Sequence, residues 1–231
     1  YIFTGNNDLN VMTQSMQINL NVIDAVRSYN ISKIFYSSSA CVYSEDKQLD
    51  KNNIDCREAS AYPANPDSNY GWEKLFSERL YMNLHKHTNT EVRIARFHNT
   101  YGPCSTYDGG KEKVPAAICR KVLTSNGSIE IFGSGNQTRS FLYIDECIEG
   151  IIRLMESDFI GPVNIGSDEM VTINQLVDLV SSIENKELKK IHITGPLGVA
   201  GRNSDNNLIY EKLGWKPNMK LIEGLKKTYI W

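Results

Sequence analysis

KIFYSSS (33–39) is a short apolar run that ends in serines, the pattern of a parallel strand buried on both faces. NYGWEKLFSERLYMNLHKH (69–87) follows, offering Leu75, Leu80, Met82 and Leu84 for burial along a helix. EVRIARFHN (91–99) then reads as the next strand. Strand, long helix and strand again require a crossover, which joins parallel strands. The alternation continues. SMQINLNVIDAVRSYN (15–30) sets Met16, Leu20, Val22 and Ile23 on one helical face. Residues 113–124 read as a helix, SIEIFG (128–133), RSFLYID (139–145), PVNIG (162–166) and IHITG (191–195) as strands, and the stretches near 206–213 and 221–230 as short helices. Asp145 is expected to cap ECIEGIIRLMES, and Thr172 with Gln175 has capping-box spacing. Pro63, Pro66 and Asp67 mark turns in the long stretch between 40 and 69. The expected class is α/β with a parallel sheet.

At 231 residues the chain can bury a sizeable core as one large domain or two closely built ones. Its 25 Lys and Arg nearly balance 27 Asp and Glu, which argues against nucleic acid or an anionic membrane as a bulk partner. No apolar run reaches the ~18 residues of a membrane span, and no signal peptide opens the sequence. Five cysteines, at 41, 56, 104, 119 and 147, are scattered without a CxxC pair, so a zinc site or disulfide framework is not expected and a reducing cytoplasm fits. The four histidines show no metal-ligand grouping.

Tyr70 and Lys74 stand four apart in YGWEK, on one face of a helix. An ammonium near a phenol favours the phenolate, and a phenol so poised can take a proton from a sugar hydroxyl as a hydride leaves the adjacent carbon. Alone this spacing is common, and an ordinary helix with a solvated lysine explains it equally well. With the serine-ended strand before it and RFHNTYGP (96–103) after it, the chain resembles the extended short-chain dehydrogenase/reductase family, the NAD(P)-dependent nucleotide-sugar enzymes. Ser39, Tyr70 and Lys74 match that family's Ser/Thr–Tyr–Lys triad, and RSFLYIDECIEGI (139–151) resembles its arginine-containing return strand and helix. The resemblance implies a Rossmann-like doubly wound parallel sheet with a smaller C-terminal substrate-binding domain. Residues 1–100 and about 138–168 would form the first domain, and about 101–137 and 169–231 the second.

Within the family, SSACVY, KQL (47–49), FHNTYGP, GGKEKVPAAICRKV (109–122), QTRSF (137–141), VNIGSDEMV (163–171) and GRNSDNNLI (201–209) are similar to the branch that epimerises GDP-mannose on either side of C4. That likeness implies NAD as cofactor, GDP-mannose and related GDP-sugars as substrates, and a homodimer formed by helices 15–30 and 69–87. Oxidising C4 to a ketone makes the C3 and C5 protons acidic, so acid/base groups on opposite faces can invert those centres. Ser39 and Cys41, two apart, can face the sugar together if strand geometry persists. A thiol titrates not far above neutral and serves as a base with help from nearby cations. Lys113 is the implied partner, expected to be buried with a lowered pKa.

The resemblance also assigns Ala40 and Asn99 to the sugar or its diphosphate, and Lys121, Gln137, Arg139 and Arg202 to the diphosphate, where guanidinium groups bind bidentately. Tyr70 and Lys74 would hold the nicotinamide ribose. Cys56, Cys104, Cys119 and Cys147 are expected to be structural, as most buried thiols are. A nucleotide-sugar 4-epimerase or 4,6-dehydratase of the same family, or a catalytically inactive binding relative, remains the alternative. A 4-epimerase needs no second base, and the dehydratase pattern has a glutamate at position 41. The glycine-rich dinucleotide fingerprint of the first βαβ unit is absent, Gly5 standing alone. Roughly a hundred preceding residues are therefore expected to be missing, and this polypeptide alone is expected not to retain NAD.

Overall fold

The computed structural model describes residues 5–195 and 198–231. Helix α1 (Asp8–Ser28) leads into β1 (Lys33–Ser39), and a long segment with three single 3₁₀ turns joins β1 to α2 (Asn69–His87). Then follow β2 (Glu91–Phe97), β3 (Thr100–Tyr101), α3 (Val114–Thr124), β4 (Ser128–Phe132), β5 (Thr138–Ser140), β6 (Leu142–Tyr143) and α4 (Ile144–Glu156). The chain continues through β7 (Gly161–Ile165), β8 (Met170–Thr172), α5 (Ile173–Ile183), β9 (Lys189–Ile193), β10 (Gly201–Arg202), α6 (Asn207–Leu213) and α7 (Leu221–Ile230).

Strands β1, β2 and β7 form a parallel sheet in that order, with Ser39 opposite Phe97 and Phe97 opposite Ile165. Side-chain alternation along a strand divides its residues between two covered faces. Tyr36, Val92 and Ile94 pack with Ile23, Val26, Tyr81 and Leu84 of α1 and α2. Phe35, Ala95 and Phe97 turn to the other face, against Cys147 and Leu154 of α4 and Ile209 of α6. Both crossovers place helices on the sheet, so the three strands are doubly wound. A separate core joins Ile118 and Val122 of α3, Ile129 and Ile131 of β4, Leu176 and Val180 of α5, and Leu221 and Leu225 of α7. There β4 pairs in parallel with β9, while β5 lies between β10 (parallel) and β8 (antiparallel).

Two expectations need correction. RSFLYID is two strands rather than one: β5 belongs with β8 and β10, and β6 pairs with β3, Phe141 being the buried bend between them. Helix α4 starts earlier than expected, with Tyr143 at the cap and no side-chain cap bond, so Asp145 lies inside the first turn, where its charge still suits the positive helix end. The capping box of α5 is present, Thr172 accepting from Gln175 N and Gln175 Oε1 accepting from Thr172 N.

Candidate active site

The carboxyl ends of β1 and β2 carry the site. At Ser39 the strand stops, because the serine hydroxyl accepts the Cys41 N–H at 3.2 Å and tips the chain into a 3₁₀ turn over Ala40–Val42. Cys41 is therefore not on the strand, and the two-residue alternation expected to align it with Ser39 does not apply. The turn delivers the thiol instead. Ala40 and Cys41 are 2% and 9% exposed, forming the floor of the site with Val42 and Tyr43 packed beneath.

Helix α2 is seated directly on this turn. Ser68 caps it by accepting Gly71 N–H at 3.2 Å, and Gly71 lies so close that a Cβ there would be 2.1 Å from the Cys41 carbonyl oxygen. Tyr70, one residue earlier, is thereby brought against Ser39 and Cys41. Burial pushes its phenol up to about 12, Cys41 adds to the rise, and the Ser39 hydroxyl opposes it. The expected lowering of this phenol by Lys74 is thus not what the structure shows. One N–H of the ammonium is used on the strand: Lys74 Nζ donates to the Ser37 carbonyl at 2.9 Å and sits 5.0 Å from the Tyr36 ring centre and 5.7 Å from that of Tyr70. Burial in turn lowers the lysine's own pKa.

A buried charge network locks α2 under the strand ends. Glu78 receives Arg96 Nε at 2.9 Å and Nη2 at 2.7 Å, together with the Ser38 hydroxyl at 2.5 Å. Arg96 Nη1 also donates to the Glu58 carbonyl at 2.7 Å. Sequence inspection missed this pair. An arginine in a strand and a glutamate in a helix are ordinary signals until the register of β1 and β2 stacks Ser38 beside Arg96.

Arg202 reaches the thiol from the second sheet. Its Nη1 lies 3.2 Å from Cys41 Sγ, its Nε donates to Gln48 Oε1 at 2.5 Å, and its Nη2 to Asp67 Oδ2 at 2.9 Å. Each of the three nitrogens of this buried guanidinium has a partner within the protein, and two of its five N–H donors are left over for the expected diphosphate contact. Although burial opposes its charge, Cys41 and Asp67 hold its pKa above the usual value. Arg139 is its register partner on β5, with Nη1 donating to the Thr138 carbonyl at 2.7 Å and Nη2 to that of Val199 at 2.8 Å. Burial, then Arg202, pulls the Arg139 pKa down to about 10. Asp67 and Gln48 were not anticipated as part of this site.

The other expected residues have partners of their own. Lys113 is exposed at the N-cap of α3, accepting Ala117 N–H through its carbonyl, so it is not the buried lysine expected. The segment before it turns at Gly109 and Gly110, both at positive φ. Lys121 donates to the Glu130 carbonyl at 3.0 Å, Gln137 to that of Phe132 at 3.3 Å, and Asn99 to that of Ser140 at 3.2 Å. Cys56, Cys119 and Cys147 are buried in the cores, and Cys104 is exposed.

A parallel sheet covered on both faces, with a tyrosine and a lysine one helical turn apart beside a serine-ended strand, defines a protein of the short-chain dehydrogenase/reductase type. The chain belongs to the NAD dependent epimerase/dehydratase family, whose pattern matches residues 4–166. It is 53% identical over 229 residues to GDP-mannose 3,5-epimerase of Arabidopsis thaliana, covering 99% of this chain and 61% of that protein. Against GDP-mannose 3,5-epimerase 1 of Oryza sativa subsp. japonica the identity is 51%, with 99% and 60% covered. UDP-glucuronic acid decarboxylase 5 of Arabidopsis thaliana is 36% identical over 71% of this chain and 47% of its own. Thus the chain spans about three fifths of the length of the curated relatives it matches best among these. Among solved structures, UDP-N-acetylglucosamine 4-epimerase from Methanobrevibacter ruminantium M1 superposes with a TM-score of 0.84 at 25% identity, covering 94% of this chain and 68% of the other. UDP-glucuronic acid 4-epimerase from Bacillus cereus, solved with UDP-glucuronic acid and NAD, gives 0.78 at 25% identity, with 94% and 66% covered. Among the described residues, no helix is long and apolar enough to cross a membrane.

Proposed function

We propose that the protein is an NAD-dependent epimerase that converts GDP-mannose to GDP-L-galactose by inverting C3 and C5 through transient oxidation at C4. The observation that carries this reading is the thiol of Cys41 at the strand end, beside Tyr70 and 3.2 Å from a guanidinium nitrogen of Arg202. A thiol in that place gives the site a proton-exchanging group that simple oxidation and reduction at C4 would not need. The 53% identity to a GDP-mannose 3,5-epimerase supports the same substrate.

The residues present suit the nicotinamide end of the cofactor: Tyr70 and Lys74 share one face of α2, and Lys74 reaches the Ser37 carbonyl on β1. NAD, when bound, supplies the acceptor and later the donor of the C4 hydride. Ser39 orients the C4 oxygen and Tyr70 exchanges its proton. A phenol pushed up to about 12 by burial is protonated at neutral pH, and Lys74, 5.7 Å from its ring centre, is the cation placed to favour its phenolate. Cys41 then removes or returns a proton at a carbon beside the ketone. Lys113 is the acid/base partner for the opposite face by resemblance alone, and Ala40, Asn99, Lys121, Gln137, Arg139 and Arg202 are the remaining candidates for sugar and diphosphate contacts.

The cores on the two faces of the sheet support a cofactor-binding domain of residues 1–100 and about 138–168 with a nucleotide-sugar domain made of the rest, with two exceptions: Ile209 of α6 packs on the sheet, and Phe141 and Tyr143 lie in the core of α3, α5 and α7. A homodimer through α1 and α2 is supported by the exposed Ile18 and Leu20 of α1 and Trp72 and Phe76 of α2. Incubating the complete gene product with NAD and GDP-mannose in deuterated water, followed by NMR of the sugar, tests the function. Deuterium at C3 and C5 without loss of oxygen is expected, and C41A should lose that exchange while still binding the nucleotide sugar. A 4,6-dehydrated product, no exchange, or wild-type exchange in C41A would each refute the assignment.

A further inference from the structure

In the sequence, Asp67 marks a turn ahead of α2. In the folded chain its side chain is 7% exposed, and its Oδ2 accepts from Arg202 Nη2 at 2.9 Å. The other oxygen, Oδ1, is buried and has no hydrogen-bond partner among the described residues. Buried carboxylates ordinarily satisfy both oxygens. A carboxylate held by one guanidinium and little else serves that guanidinium as its counter-charge. Arg202 needs one, since it is buried next to a second cation, Arg139, its register partner across β5 and β10.

We propose, on the basis of the acid/base role assigned to Cys41 above, that Asp67 is a positioning residue for that thiol. By anchoring and charge-balancing Arg202, it sets the pH at which Cys41 gives up its proton. The linkage runs through consecutive contacts: Asp67 Oδ2 to Arg202 Nη2, then Arg202 Nη1 to Cys41 Sγ at 3.2 Å. Gln48 Oε1, on Nε, fixes the third edge of the same guanidinium, so the arginine cannot pivot away when one charge changes. A thiolate that alternately accepts and donates a proton must not be trapped in either form. An unbalanced Arg202 would hold Cys41 as the thiolate, whereas an unbalanced Asp67 would hold it as the thiol. The charged and titratable groups around Cys41 are Tyr70 from α2, Arg139 from β5 and Arg202 from β10, and those around Arg202 include Asp67 and Cys56 from the segment joining β1 to α2. Of these only Asp67 offsets Arg202 through a direct ion pair.

The test is the pH dependence of Cys41 alkylation by iodoacetamide in the complete gene product, read by peptide mass spectrometry so that the other four cysteines do not interfere. Asp67→Asn keeps an oxygen for Arg202 Nη2 but removes the charge. The midpoint should fall by about one pH unit, which is roughly tenfold in rate below the midpoint. An unchanged or raised midpoint overturns the proposal. Because a buried arginine without its partner can prevent folding, R202Q is also compared with the doubly substituted D67N/R202Q, which removes both members of the ion pair. There too, removing Asp67 should lower the midpoint; identical profiles would again overturn it. Neither readout uses turnover. A failure of deuterium exchange in the wild type would sink the epimerase assignment and leave the alkylation result standing, and the reverse outcome would do the opposite.

Discussion

Replacing Gly71 by alanine puts the geometry of the site to a test in which two physical effects have opposite signs. In an ordinary helix, Gly→Ala stabilises by up to about 1 kcal/mol, because alanine loses less backbone freedom on folding. Gly71 lies in the first turn of α2 at negative φ, so no left-handed conformation forbids the methyl group. Its surroundings do. The new Cβ would sit 2.1 Å from the Cys41 carbonyl oxygen, 2.8 Å from Pro66 Cβ and 3.0 Å from the Cys41 carbonyl carbon. Two of these three atoms are backbone, and no rotamer change removes them. Relief requires α2 and the Cys41 turn to separate by about an ångström, and overpacking of this kind costs about 1–3 kcal/mol. The net expectation is destabilisation by about 1–2 kcal/mol, seen as a lower urea midpoint at unchanged m-value. A shift of that size between Tyr70 and Cys41 should also cut deuterium exchange about a hundredfold, since catalytic groups tolerate little misplacement. If G71A is as stable as the wild type or more so, α2 does not rest on the turn as described, and the positioning of Tyr70 argued from that contact falls with it.

Two further outcomes follow from buried charge. Glu78→Gln leaves Arg96 without its bidentate partner in a site where both side chains are at most 3% exposed, and should cost about 3–5 kcal/mol in urea unfolding; replacing the pair together by Leu and Met should recover most of the loss, and a near-neutral E78Q would refute the network's role. His98 is held neutral: burial above all, with Arg202 and Arg96 assisting and Asn164 opposing, pushes its pKa from 6.5 to about 3. The unfolded chain therefore binds one more proton between those values, so this contribution to stability is fully present above 6.5 and declines as the pH falls toward 3. Urea melts at about pH 5 and about pH 7 should show H98Q losing less stability than the wild type over that interval, by about 1.4 kcal/mol per pH unit below 6.5; parallel losses would refute the assignment.

The parts of this molecule legible in the sequence are those set by short-range pattern. KIFYSSS, the long α2 and the Thr172–Gln175 capping box depend on residues a few positions apart, and the structure has them as expected. The class of fold followed from their order. Cys41 was also legible as the unusual residue, but the route by which it enters the site was not. The alternation rule assumes that a strand continues, and one serine hydroxyl turned toward Cys41 N ends it. RSFLYID broke for a similar reason: its two halves pair with strands far away in sequence, and nothing local records which partner each will find.

What the sequence hid most completely is the use of charge. Arg202 looked like a phosphate ligand because a guanidinium is the usual side chain for that work. Whether it is free to do it depends on Gln48, Asp67 and Cys41, which come from three turns at separations of 154, 135 and 161 residues. Lys74 likewise has the right spacing to Tyr70, yet its proton donors are drawn to the Ser37 carbonyl on the neighbouring strand. Spacing on a helix fixes which side chains share a face. The strands that face meets decide which further partners those side chains find, and in this protein they bring an arginine expected at the substrate to within 3.2 Å of the thiol.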